Sequence, residues 1–422
     1  MIFRVGFGLV AMVAAVRFVG MGWVEELLLA PPYHFAWVEW AVVPPAPVLY
    51  GLFALQVLGG ALIVAGRRLG VVLWLVGFGW VELLDKALYL NHYVLFTLLG
   101  VVLLVVPWRR APGWSLGLLR LLVGSVYVWA GLAKLNPDWL LRAEPLATWL
   151  GARADVPVVG GLLAWEPTAF AMSWAGAAYD LSVPFLLLFP RTRALGLVLV
   201  VGFHAVVGML FPIGIFPVLM VLAATLLLPA GWPRRWGWLR ERLPEWDGGA
   251  GSAVSPVAAT AWVVVVATLL LFPGRFVLHG ADVSWTERGY RFAWRVMLNE
   301  KTGLVDYRVV DRVTGQQWRV SPSEELTRVQ HHQLRIQPDL IRQYARHLAD
   351  KHAAEGRDVA VYADAWASLN GRRSQRLLRP DVDLTRPLDE LDREGWILGR
   401  EGAEGARGAE GARGAEGARG AW

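Results

Sequence analysis

The stretch 128-VWAGLAKLNPDWLL-141 closes a run of almost wholly apolar or small residues that starts at Leu121 and ends on one lysine, Lys134. An ammonium at the edge of a hydrocarbon layer is costly, so it either snorkels to water or is employed. Asn136-Pro137-Asp138 then reads as a helix stop and the start of a turn. The stretch therefore points to a membrane crossing that ends on a titratable amine. Lysine is scarce here: Lys86, Lys134, Lys301 and Lys351 are the only four among 41 Lys+Arg. Where the chain merely needs positive charge it uses arginine, and of the two only lysine can lose its proton at such an edge.

Working outward, the 422 residues are 55% hydrophobic and 18% charged, with 23 Trp. That is too apolar for an ordinary soluble domain and typical of a multi-spanning membrane protein. The net charge of +6 suits loops that face anionic lipid. It is scattered rather than gathered into a basic stripe, which argues against nucleic acid as a partner. With no cysteine, disulfides, thiolate ligands and cysteine nucleophiles are excluded. Apolar segments near 4–22, 48–66, 69–84, 92–107, 115–135, 168–189, 194–210, 212–229 and 254–272 predict an all-α membrane bundle of about nine transmembrane helices. The first carries Arg17 and no cleavage-site pattern, so it reads as a retained helix. The loops GRRLG (66–70), WRRAP (108–112), RTR (191–193) and PRRWGWLRERL (233–243) are arginine-rich and belong on the cytoplasmic side. The intervening loops at 25–40, 83–93 and 135–150 are poorer in positive charge or balanced by acids. This alternation puts the N-terminus inside and everything after residue 273 outside.

Composition changes at Pro273, which divides a transmembrane domain (1–273) from a small extracytoplasmic α+β domain (274–398). There, 303-GLVDYRVVDRVTGQQWRV-320 alternates as a hairpin around Thr314-Gly315. Pro338 opens a helix that Gly356 follows, and 358-DVAVYADAWASL-369 reads as a strand. The connection 243–255 is a flexible loop. From residue 399 to 422 the chain becomes an EGARGA repeat without apolar content, which predicts a disordered tail.

On this topology the polar groups of the membrane segments gather toward the outer side. Asp85, Lys86, Asn91 and His92 lie at the turn between the third and fourth helices. Lys134, Asn136 and Asp138 end the fifth, Asp180 lies mid-way along the sixth, and His204 sits in the outer half of the seventh. Ionisable groups inside membrane segments are functional candidates by default. Each also has a plainer reading. Lys134 can snorkel, and His204 can be a hydrogen-bonded core histidine. Asp85-Lys86 can be an ion pair or two independent loop charges. His34, His92 and His204 lack the helical spacing of a metal site, and His331, His332, His347 and His352 read as solvated. There is no nucleophile elbow, phosphate loop or dinucleotide fingerprint. The many glycines read as helix-packing small residues.

Several stretches carry a joint signature: 82-ELLDKALYLNHYVLF-96, 130-AGLAKLNPDWL-140, 179-YDLSVPFLLLF-189, 202-GFHAVVGMLFPIGIFP-217, 285-WTERGYRFAWRVML-298 and 361-VYADAWASLNGRRSQRLLRPDVDL-384. In order and spacing, over residues 1–398, the chain resembles the vitamin K-dependent gamma-carboxylase family and its bacterial relatives, the horizontally transferred transmembrane (HTTM) domain proteins. The resemblance implies an integral membrane enzyme, a carboxy-lyase and quinol epoxidase, whose active site faces outward. It makes Lys134 the catalytic base and His92 its supporting partner in one site. Asn91 accompanies His92, and Tyr290 matches a tyrosine of the vitamin K-binding region. His204, Asp180 and Trp285 join that quinone-binding set, with Asp85 and Lys86 as supporting residues. The implied cofactor is reduced vitamin K, of the menaquinol or phylloquinol type, with oxygen and carbon dioxide as co-substrates and no metal. The implied partners are the lipid quinone, the membrane and a glutamate-containing protein or peptide. Some positions depart from the family. Ala133 replaces a second lysine, Val207 an asparagine and Phe276 a histidine, although His279 is close by. Hydroquinone oxygenation is thus better supported than carboxylation of a peptide.

Physical chemistry agrees with the lysine assignment. A glutamate γ-proton is too weakly acidic for any side-chain base near neutral pH. The family's route is indirect: a neutral amine deprotonates the hydroquinone, and oxygen addition then generates a stronger base. Burial disfavours a charged amine, which is why the task suits a lysine at an apolar edge and not an arginine. The alternative from another class is a non-catalytic membrane protein that binds or transports a lipophilic ligand. A further one is the same fold acting on a different quinone without a carbon dioxide step. The topology has a direct test. A reporter fused after residue 398 is expected to be active only when it folds outside the cytoplasm, and activity confined to the cytoplasm would overturn the orientation.

Overall fold

A computed structural model of the chain describes residues 2–106, 108, 113–229, 231–235, 256–279, 282–388 and 395–400. The expectations for residues 109–112, 236–255 and the repeat from 401 onward lie outside these residues. Helices α1 (Ile2–Gly20), α2 (Ala46–Val64), α3 (Leu69–Leu84), α4 (Asn91–Val105) and α5 (Gly113–Lys134) come first. Short helices α6 (Pro137–Arg142), α7 (Leu146–Gly151) and α8 (Gly160–Leu163) follow. Then come α9 (Glu166–Leu188), α10 (Arg193–Leu210), α11 (Phe216–Ala224) and α12 (Pro256–Leu271).

Among the described residues, six helices are long and apolar enough to cross a membrane: Ile2–Gly20, Ala46–Val64, Trp114–Lys134, Glu166–Leu188, Arg193–Leu210 and Trp262–His279. Leu69–Leu84, Asn91–Val105 and Phe216–Leu227 are helical and apolar but shorter, below the roughly 20 residues of a straight span. The expectation of about nine spans is therefore met only in part. The segment Asp85 to Leu90 separates α3 from α4, and Pro212 to Gly214 lies just ahead of α11.

Glycines let the first helices approach closely. A Cβ on Gly8 would stand 2.6 Å from the Gly60 carbonyl oxygen, and one on Gly60 2.7 Å from that of Gly8. Gly59 and Gly70 make the same contact between α2 and α3, at 2.7 and 2.5 Å. Small residues of this kind are how membrane helices gain packing without a hydrophobic driving force. An aromatic cluster then fills the space between α1, α3 and α4. Phe7 lies 5.0 Å from Trp74 and 4.6 Å from Phe96, ring centre to ring centre.

The C-terminal part forms a four-stranded antiparallel sheet in the order β2-β1-β3-β4, from β1 (Lys301–Asp311), β2 (Gln317–Val320), β3 (Val359–Leu369) and β4 (Gln375–Arg376). The β1–β2 turn contains Gly315 at φ +72°, a left-handed conformation that suits glycine. Helices α13 (Val283–Thr286), α14 (Arg328–Leu334) and α15 (Pro338–Ala354) complete it. The apolar stripe of α15 (Leu340, Ile341, Tyr344, Leu348) shares one buried core with the inward residues Tyr307, Val309, Ala363 and Ala365 of the sheet. One reading changes here. His347 is not simply solvated: its Nε2 lies 3.1 Å from Glu325 Oε2, and its ring packs 4.1 Å from Tyr33.

The sheet domain grips the bundle at two turns. At the α3–α4 turn, Gln330 donates to Asp85 Oδ2 at 2.7 Å and to the Tyr33 carbonyl at 2.8 Å. Lys86 donates to Gln343 there, at 2.9 Å. At α6, Asp138 receives Arg372 and Asn370. Packing makes a clear prediction for the first helices. Gly60→Leu should lower detergent stability by about 1–3 kcal/mol through overpacking. Gly51→Leu should not, because nothing lies within 4 Å of its Cβ direction. Equal thermal midpoints for the two variants would contradict the close-contact reading.

Candidate active site

Lys134 is the last residue of α5 and is only 6% exposed. Its ammonium does not reach water. It donates to Asp180 Oδ2 on α9 at 2.6 Å, and the two side chains are 7% and 9% exposed. A buried lysine needs such a counter-ion, since an unpaired charge in this setting is strongly unfavourable. The snorkelling reading of Lys134 is set aside by this geometry. Local sequence helps place the carboxylate. Pro184 lies inside α9 and has no N–H to offer the Asp180 carbonyl four residues back, so the helix loosens at the carboxylate's own turn. Below the ammonium, the Trp139 ring centre lies 5.2 Å from Nζ, and its indole N–H donates to the Ser173 carbonyl of α9 at 2.7 Å.

Beside the pair lies an aromatic box. Tyr127, on α5 seven residues before Lys134 and so on the same face, has its hydroxyl 3.4 Å from His204 Nε2. Phe203 stacks on Tyr179 at 4.0 Å, and Phe216 packs 5.5 Å from the His204 ring. One polar atom inside the box, His204 Nδ1, is buried with no hydrogen-bond partner in the protein, while the Tyr179 hydroxyl lies close to that of Tyr127. Buried polar atoms are nearly always satisfied, so His204 Nδ1 suits a polar ligand. His92 reaches the same box from α4: its ring centre lies 5.6 Å from Phe216. No hydrogen bond joins His92 to Lys134 among the described residues. The lysine's own polar contacts are Asp180 and, at 3.5 Å, the Ala130 carbonyl.

A second cluster adjoins His92. Asn91 Nδ2 and the Tyr290 hydroxyl both donate to the Arg295 carbonyl, at 3.3 and 2.9 Å. The Tyr89 hydroxyl donates to Asn91 Oδ1 at 3.0 Å and accepts from the Phe292 N–H at 2.6 Å. Burial raises the Tyr290 phenol well above its ordinary range, so it remains a donor.

Other candidates sit elsewhere. Trp285 is 1% exposed in the sheet-domain core, with its indole N–H donated to the Leu398 carbonyl at 2.8 Å. It packs there within the core cluster of the sheet domain. Asp85 and Lys86 do not pair with each other. They hold Gln330 and Gln343 of the sheet domain instead. Tyr127, Tyr179, Phe203, Phe216 and Trp139 were not singled out from sequence. Trp139, Tyr179, Phe203 and Phe216 do lie inside the signature stretches quoted above, and Tyr127 has a local signal in its seven-residue spacing from Lys134. No group of three or more His, Asp or Glu side chains able to hold a metal occurs among the described residues.

The ion pair predicts a specific coupling. Asp180→Ala and Lys134→Ala should each destabilise the protein by about 3–5 kcal/mol, because each leaves a buried charge unpaired. The double variant should lose clearly less than the sum of the two. Additive losses in detergent unfolding would show that the two groups do not interact.

Residues 1–232 match the family model described as HTTM domain, and residues 254–402 match the one described as vitamin K-dependent gamma-carboxylase, lumenal domain. No solved structure matches the chain. The first match alone spans more than half of the sequence, and the two follow one another in the order that the motifs around Lys134 and Tyr290 led us to expect; the chain belongs to the family of vitamin K-dependent gamma-carboxylases and their HTTM-domain relatives.

Proposed function

We propose that the protein is a membrane enzyme that oxygenates a reduced quinone, vitamin K hydroquinone to its epoxide, and couples this to carboxylation of a glutamate. The observation that carries the reading is the buried Lys134–Asp180 pair bordered by the aromatic box. The fit of a quinol rests on the box itself. A planar ring bearing oxygens suits aromatic surroundings that hold an unsatisfied polar atom, His204 Nδ1.

The residues divide the work. Asp180 Oδ2, at 2.6 Å, is where the Lys134 proton can go, leaving Nζ a free amine next to the ring. That amine takes the quinol proton as general base. The quinol and oxygen together supply the stronger base that a glutamate γ-proton demands. His92, at the start of α4, donates a hydrogen bond to the carboxylate that carbon dioxide addition creates, in surroundings where low dielectric strengthens it. Asn91 and Tyr290, joined through the Arg295 carbonyl, hold the entrance turn beside it. The loop charges support a reading in which this end of the bundle and the sheet domain face outward, with the division near residue 273.

The test uses the purified protein in detergent with phylloquinol, oxygen and labelled carbon dioxide, with and without a glutamate peptide. Epoxide should form, and label should enter the peptide. Lys134→Ala, assayed at a temperature where it remains folded, should lower epoxide formation by more than about a hundredfold, with rescue by small amines. His92→Ala should slow the chemical step while leaving quinol affinity nearly unchanged. Quinol binding without any epoxide would instead favour the binding-protein reading, and full activity in Lys134→Ala would remove the lysine from the chemistry.

A further inference from the structure

Asp138 lies four residues beyond Lys134, in a turn that sequence reads simply as a helix stop. Its carboxylate is the most heavily bonded contact between the sheet domain and the bundle. Both oxygens are taken by the Arg372 guanidinium, the Oδ2 bond at 2.6 Å. Asn370 Nδ2 adds a bond to Oδ2 at 3.0 Å. Arg142 approaches Oδ1 at 3.5 Å and donates to the Asn370 carbonyl at 3.2 Å. A fork-on-carboxylate arrangement of this kind fixes orientation as well as distance.

Both sides of this contact are held by further hydrogen bonds. Asn370 adopts φ +50° and Gly371 φ +71° in the turn after β3, and Asn370 Oδ1 accepts the Glu300 N–H at 2.8 Å. On the bundle side, Asn136 Oδ1 caps α6 by accepting the Trp139 N–H at 3.0 Å, while its Nδ2 donates to the Ala133 carbonyl at 2.8 Å. Trp139 is the residue next to Asp138, and its ring lies under Lys134 Nζ. Its indole is tied to Ser173, seven residues before Asp180 and on the same face of α9. Burial alone would raise the Asp138 pKa, but the bonds from Arg372 and Asn370 outweigh it and hold the carboxyl below its ordinary range. Asp138 therefore stays ionised at neutral pH, and its contribution fades only as the pH falls through that depressed value.

We propose that Asp138 and Arg372 form a positioning latch through which the sheet domain sets Trp139, and with it the Lys134 ammonium, against Asp180. Asp138 and Arg372 touch no substrate in this arrangement and act through Trp139 and the cap of α6. The proposal rests on the quinol-oxygenase reading for its effect on turnover, but not for its effect on the lysine.

The test exploits the four lysines of the chain. Lysine-specific ¹⁵N labelling resolves their side-chain signals, and Lys134→Arg identifies the one from Lys134. Arg372→Gln should move the Lys134 signal and leave that of Lys351 in place. In the same preparation kcat for phylloquinol should fall about tenfold or more, as expected for a base displaced by a fraction of an ångström. KM should change little, the protein should remain folded at the assay temperature, and the apparent basic pKa in the pH–rate profile should shift. Arg372→Lys, which keeps charge but loses the fork, should fall between. The exchanged pair Asp138→Arg with Arg372→Asp should recover part of kcat. An unmoved Lys134 signal overturns the latch, as does an unchanged kcat in an active enzyme. A fall in kcat matched by equal losses in quinol affinity and thermal midpoint also overturns it, since that marks simple detachment of the domain. If the unaltered protein makes no epoxide, the quinol reading fails and the lysine signal alone decides the latch.

Discussion

A lysine ammonium and an aspartate carboxylate, 2.6 Å apart and almost sealed from water, set the terms for the rest of this molecule. Neither charge is tolerable there alone, so α5 and α9 must lie side by side with Lys134 and Asp180 at the same level. A pair of this kind is weak evidence for stability, because two well-packed apolar residues would do as well. The pair does bring Nζ and Oδ2 within direct hydrogen-bond distance in a site almost closed to solvent. Pro184 and the Trp139 ring then follow as local adjustments to that pair, one loosening the helix at the acid, the other closing beneath the amine.

The aromatic box and the Asn91–Tyr290 cluster are two sides of one place, joined by consecutive residues of α4. Asn91 turns toward the Arg295 carbonyl, whereas His92 turns toward Phe216 and the box. The α4 entrance turn is therefore shared by both clusters. His92 and Lys134 approach the box from different helices, with Phe216, His204 and Tyr127 between them.

The sheet domain is more than an appendage in this light. It holds the turn before α4 through Gln330 and Asp85, and the turn after α5 through Arg372 and Asp138. These are the turns flanking the two residues proposed for chemistry. Short helices that do not span a bilayer on their own, such as α3 and α4, gain an external clamp from the same contacts.

Much of the architecture follows from local pattern. Apolar run length placed the membrane helices, period-two alternation placed the hairpin around Gly315, and the Pro338–Gly356 punctuation placed α15, because each depends on residues within one or two turns of each other. The scarcity of lysine and the stop at Asn136-Pro137 marked Lys134 for the same reason. What only the tertiary structure decided is partnership. Asp180 lies 46 residues from Lys134, and Arg372 lies 234 from Asp138, so neither pairing leaves a periodic trace. Asp138 reads as a helix stop and Trp285 as part of a quinone-binding motif until packing shows the first held by the sheet domain and the second sealed inside it. The apolar segments at 69–84 and 92–107 were legible as helices, but six of the helices among the described residues are long enough to cross a membrane and these two are not. Local periodicity tells a chain which face to bury, but which buried group meets which is set by how closely the helices approach. That approach is controlled here by glycine contacts and by the sheet domain's grip on the helix ends.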